Sequence, residues 1–109
     1  MNPMLIVTTE EIAGKRITRT LGLVRGNTIR ARHMGKDIMA VFRNMVGGEI
    51  PEYTKMMAEA REQALDRMIK QARKLNADAI INVRFTTSML MAGAAELLAT
   101  GTAVMLEDE

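Results

Sequence analysis

The chain has no cysteine and no tryptophan, one histidine, one serine and three aromatic residues: Phe42, Tyr53 and Phe85. Each scarcity narrows the function. Without cysteine there are no disulfides and no thiolate metal sites, and the composition suits a cytosolic address. Ser88 and His33, each the single residue of its kind, leave almost no nucleophile–base combination of the hydrolytic type. A core short of aromatics lacks the large area that those side chains bury. The 11 methionines fill gaps adaptably, but such a core calls for extra burial from partner subunits. No apolar run approaches the ~20 residues that a membrane helix needs. The N-terminal apolar run stops at Thr8-Thr9-Glu10-Glu11 and lacks the basic flank of a signal peptide. The expectation is one soluble, cytoplasmic domain spanning 1–109.

What is present is concentrated. The blocks Leu21–Gly35 and Val46–Tyr53 hold five glycines, one proline, three arginines and the lone histidine. Glycine and proline punctuate regular elements there, and polar residues gather between them. Charge is lopsided although the net is only +2. From Ile12 to Lys36 there are seven basic residues and no acid, and the chain ends in Glu107-Asp108-Glu109. The basic stretch either meets an anion or forms a solvated strand and loop.

The hydrophobic pattern gives the elements. Leu5–Thr8 reads as a short strand, 9–14 as a turn, and Ile17–Ile29 as a long strand with room for a break. Gly22 and Gly26 inside it mark a bulge or a close backbone approach. Gly35–Val46 reads as a helix ended by Gly47-Gly48. Pro51, with acids in the first turn, starts a second helix that runs to about Leu75 with Asn76 as a left-handed cap. Its apolar members cover an arc of roughly 200°, about twice what one sheet face needs. The excess points to burial on two sides, by the sheet and by either the first helix or a neighbouring subunit. Ala79–Thr87 alternates, with Ala79, Ile81, Val83 and Phe85 on one face. Leu97–Leu106 places Leu98, Val104 and Leu106 opposite Ala99, Gly101 and Ala103. Strands, helices, then strands suggest an α+β domain.

The Leu21–Gly35 block, Asn44–Tyr53, the Ala77–Thr87 strand and the Gly93–Ala103 ending, in that order, resemble the YbjQ family of small prokaryotic proteins. The likeness covers nearly the whole chain. It implies a two-layer α+β subunit, an antiparallel sheet with two helices packed on one face, related to the dodecin subunit. It also implies assembly as a ring-shaped homopentamer. The family has no established activity and carries a heavy-metal-binding label drawn from structural comparison, so the implied cofactor is a heavy-metal ion.

Candidate residues follow. A specific metal site wants several soft or imidazole ligands. Here one would need His33 from several subunits, or His33 with Glu49 of a neighbour; otherwise His33 is a loop residue bonded to backbone. Met45, Met56, Met57 and Met68 have core spacing, whereas Met89 and Met91 are less well explained by packing. Arg25, Arg30 and Arg32 surround Gly26-Asn27-Thr28 and suit a small anionic ligand. Their alternative is a solvated basic strand, with Gly26-Asn27 as a turn. Nucleic acid is not expected, because no aromatics are interleaved with the basic residues. Glu49 and Glu52 suit a helix start without further duty. The reading is a non-enzymatic homo-oligomer that binds a metal ion or small ligand at subunit interfaces. The alternative is a ring whose assembly is itself the function.

Overall fold

A computed structural model describes residues 3–31, 51–91 and 94–109. The element order is β1 (Leu5–Ile6), β2 (Lys15–Ala31), α1 (Pro51–Lys74), β3 (Ala79–Met91) and β4 (Ala94–Asp108). The helix expected at 35–46 lies outside the described residues. So do Arg32, His33 and Glu49.

The four strands form one sheet in the order β1-β3-β4-β2. The three long strands are antiparallel, and the two-residue β1 joins β3 in parallel, so the sheet is mixed. Helix α1 packs on one face, mainly over β2, giving an α+β architecture. Its end is a Schellman turn: Ala77 N–H donates to Ala72 C=O, Asn76 N–H donates to Arg73 C=O, and Asn76 takes a φ of 61°. Asparagine tolerates that left-handed conformation, as the sequence predicts.

The helix sits close because its contact row and its floor are both small. Ala60, Ala64, Met68 and Ala72 line its underside at i+4 spacing, and all are buried. They rest on Val24, Ile80, Val83, Leu97, Ala99 and Ala103. Gly26 is the closest point. A Cβ built there would lie 2.1 Å from the Ala64 carbonyl oxygen and 2.5 Å from the Met68 nitrogen. Gly26 therefore belongs to the middle of a strand and not to a turn, and of the two roles open to a strand glycine it takes the close approach. Gly22 takes the other. It has a φ of 126° and flanks a register shift in β2, where one extra residue breaks the ladder.

A further bulge corrects the reading of β3. The pairs Ile81↔Thr102 and Arg84↔Thr100 are three residues apart on β3 and two on β4. Asn82 absorbs the difference with a φ of 54°. Its N–H donates to Thr9 C=O, and Val83 N–H donates to Val7 C=O. The bulge switches faces. Ala79 and Ile81 join Val104 in a second small core on the helix-free side, packed by Val7, Ile12, Ile17 and Leu106. Val83 instead joins the helix-side core. Strict alternation from Ala79 to Phe85 does not hold, because one inserted residue inverts every later side chain.

The C-terminal acids pair with the start of β2: Lys15 with Asp108 and Arg16 with Glu107. The hydrogen bond from Lys15, and then its charge, hold the Asp108 carboxyl below its usual pKa. A carboxylate depressed in the folded state contributes stability above its ordinary pKa, and the contribution is lost as pH falls through the folded value. Exposed pairs contribute little. Asp108→Asn is therefore expected to lower thermal stability slightly at neutral pH. The difference should vanish at acid pH and in high salt. Melting curves of both proteins across pH would show it, and a difference that persists at acid pH would exclude this origin.

Candidate functional site: the helix-free face of the sheet

Ladder register decides which of the predicted residues can act together. Across β2, β4 and β3 the rows are Arg25–Thr100–Arg84, Asn27–Leu98–Thr86 and Ile29–Glu96–Ser88. Directly opposed residues share a face, and these rows alternate with the helix-side row Gly26–Ala99–Phe85. Arg25 and Asn27 thus lie on the helix-free face. Arg30 pairs with Ala95, one step out of phase, and lies on the helix side. Arg25 and Arg30 of one subunit are not brought together.

The helix-free face mixes charge with apolar surface. Asn27 Nδ2 donates to Glu96 Oε2 at 3.2 Å. Arg84 Nη1 donates to the carbonyls of Thr8 and Val83, each at 2.9 Å, which pins the 8–14 loop to β3. The Arg25 side chain is exposed. Leu23 and Ile29 are 68% and 57% exposed. On the helix side, Thr28 is buried, and neither its Oγ1 nor Arg30 Nε has a hydrogen-bond partner among the described residues. Beneath the 8–14 loop a cleft of about 1110 Å³ is lined by Glu10, Glu11, Lys15, Arg16 and Glu109, among others. Its charges are of both signs and its walls select no single ligand.

Sequence reasoning missed Arg84, Glu96, Arg67 and Gln71. Arg84 carries the strand alternation, but its duty depends on the bulge beside it. Arg67 and Gln71 look like ordinary solvated helix residues. Only the placement of α1 reveals that Arg67 Nη1 donates to the Asn27 carbonyl and that Gln71 Oε1 accepts from the Arg25 N–H at 2.9 Å.

Among the described residues no group of three or more His, Cys, Asp or Glu side chains could hold a metal ion. None of their helices is long and apolar enough to cross a membrane.

The family model described as "Putative heavy-metal-binding" matches residues 4–107. The chain belongs to the YbjQ family. A UPF0145 protein of Methanosarcina acetivorans is 62% identical over 103 residues, covering 94% of this chain and 97% of that protein. One from Archaeoglobus fulgidus is 61% identical, covering 94% and 95%. The names of these YbjQ relatives state no enzymatic activity. A crystal structure from Pediococcus pentosaceus, described as a protein of unknown function of the DUF74 family, superposes with a TM-score of 0.67 at 18% identity. It covers 95% of this chain and 98% of that one, and it supports the α+β fold. For this YbjQ chain, the heavy-metal description finds no donor set among the described residues.

Proposed function

We propose that the protein is a cytoplasmic, non-enzymatic homo-oligomer, a five-membered ring, that binds a heavy-metal ion or a small anionic ligand at its subunit interfaces. The observation that carries the assembly is exposed apolar surface among the described residues, with Leu23, Ile29, Phe85 and Met89 all open to solvent. A 12.1 kDa domain with several large apolar side chains exposed invites association. Interfaces are also the place to complete a site that one chain leaves incomplete. Arg25 and Arg30 lie on opposite faces, so copies meeting through different faces would bring them together. With Arg32 they supply anion-binding charge, and His33 with Glu49 of a neighbour supplies the metal donors.

The test is native mass spectrometry of untagged protein purified without chelator, before and after metal addition. The expected result is a pentamer carrying a fixed number of ions or small molecules. Metal uptake should be lost in His33→Ala. A monomer would end the assembly reading. A pentamer that takes up nothing would favour the second reading, a ring whose partners are macromolecules.

A further inference from the structure

Among the described residues β2 is an outer strand of the sheet, and a free strand edge is a template for another strand. This edge is long, running from Lys15 to Ala31. Its first part is irregular, with register shifts between Ile17 and Arg19 and between Thr20 and Gly22. Such irregularities blunt an edge. From Gly22 to Ala31 the register with β4 runs without a shift, and Leu23 and Ile29 are exposed within it. A regular edge carrying exposed apolar side chains needs another device against strand addition.

Two helix side chains supply it at the centre of the regular stretch. In an antiparallel strand the N–H and C=O of one residue point to the same side, and successive residues alternate. Arg25 and Asn27 turn these groups away from β4. Gln71 Oε1 accepts from the Arg25 N–H at 2.9 Å, and Arg67 Nη1 donates to the Asn27 C=O. Spacing makes both contacts possible. Residues 67 and 71 are about one helical turn apart, a rise of about 6 Å. Residues 25 and 27 are about 6.7 Å apart along the strand. The helix runs antiparallel to β2, so the two side chains meet successive outward residues. Gly26 lies between them and seats the helix. A Cβ there would come within 2.8 Å of the Arg67 Cβ, besides meeting the backbone of Ala64 and Met68. A side chain at position 26 would raise α1 and draw both residues off the edge.

We infer that Arg67 and Gln71 form a lock on the β2 edge, held shut by the seating of α1 on Gly26, which keeps strands of other copies of this chain from adding there. An incoming strand has to displace both side chains before it can pair at Arg25–Asn27. The lock serves a monomer and a ring alike. It is therefore independent of the assembly proposed above, whose contacts would fall elsewhere on the subunit.

Amide hydrogen exchange reads the lock directly. In the wild type the Arg25 amide is expected to be protected although it faces outward. Gln71→Ala should speed its exchange by about tenfold, the worth of one such bond, and leave the inward-facing Gly26 amide unchanged. Gln71→Glu keeps an acceptor oxygen and should restore the protection. Unchanged Arg25 exchange in Gln71→Ala would overturn the inference. Sedimentation over a range of concentrations tests the consequence. The double variant Arg67→Ala/Gln71→Ala should form species heavier than any of the wild type and in proportion to concentration. Arg67→Lys/Gln71→Glu, which keeps a donor and an acceptor, should sediment as the wild type does. A folded double-alanine variant whose Arg25 amide exchanges freely, with a mass distribution equal to the wild type's, would show that the contacts guard nothing.

Discussion

Gly26→Ala is expected to destabilise the protein by about 3 kcal/mol or more, at the top of the range for overpacked sites. The reason is what the new methyl meets. Its nearest neighbours are the Ala64 carbonyl oxygen at 2.1 Å and the Met68 nitrogen at 2.5 Å. Both are backbone atoms of α1, so no rotamer change makes room and the helix must lift. Lifting it loosens the buried row from Ala60 to Ala72 and draws Gln71 and Arg67 off the β2 edge. Thermal melts at one fixed protein concentration would report it, because oligomer stability depends on concentration. A fall of at least about 12 °C is expected. Two other glycines calibrate the result. At Gly101 the closest contact is the Ile80 Cγ2 methyl at 2.5 Å, a side-chain end that can shift, so Gly101→Ala should cost less. At Gly22 nothing lies within 4 Å, and only the φ of 126° opposes a side chain, which costs about 1–3 kcal/mol. A Gly26→Ala protein that melts no lower than Gly22→Ala would refute the close approach of α1 to β2.

Met68→Ala is the second large effect expected, about 3 kcal/mol within the 2–5 kcal/mol range for buried large-to-alanine changes. Met68 is wholly buried and is the bulkiest side chain in the contact row of α1. Its neighbours along that row, Ala64 and Ala72, are too small to close the gap. The floor opposite is also short-chained, with Ala99 and Ala103, so the cavity should persist. Met57→Ala is the comparison, since Met57 is only partly buried against the same cluster and should lose less. Chemical unfolding of the three proteins would rank them. Equal losses at the two positions would mean that Met68 is not the keystone of the contact row.

The anion-binding arginines show how far the sequence reaches toward the site. Arg25, Arg30 and Arg32 look like one cluster because they fall within eight consecutive positions. In a strand, proximity along the chain is not proximity in space. Arg25 and Arg30 are five apart, an odd number, and so face opposite sides of the sheet. That parity is readable once the strand is accepted as continuous. The sequence also allowed a break at Gly26-Asn27, and a turn there would have erased the argument. The observed strand is continuous from Lys15 to Ala31.

By itself the sequence determined the local elements and the family. The span of α1, its start at Pro51 and its left-handed cap at Asn76 are legible because helix periodicity, proline geometry and capping are properties of neighbouring residues. The strand that begins at Ala79, and the two opposed faces of β4, are legible for the same reason. The order of motifs pointed to the family in which the chain is now placed. Tertiary structure alone decided the rest. It joined β1 in parallel, put the bulge at Asn82 and thereby moved Val83 to the face opposite Ile81. It also turned two plain helix residues, Arg67 and Gln71, into the partners of a strand edge. The physical reason is that register and edge exposure depend on which distant strands meet and at what offset. One inserted residue reverses a face, and no local pattern records the insertion until the partner strand is in place.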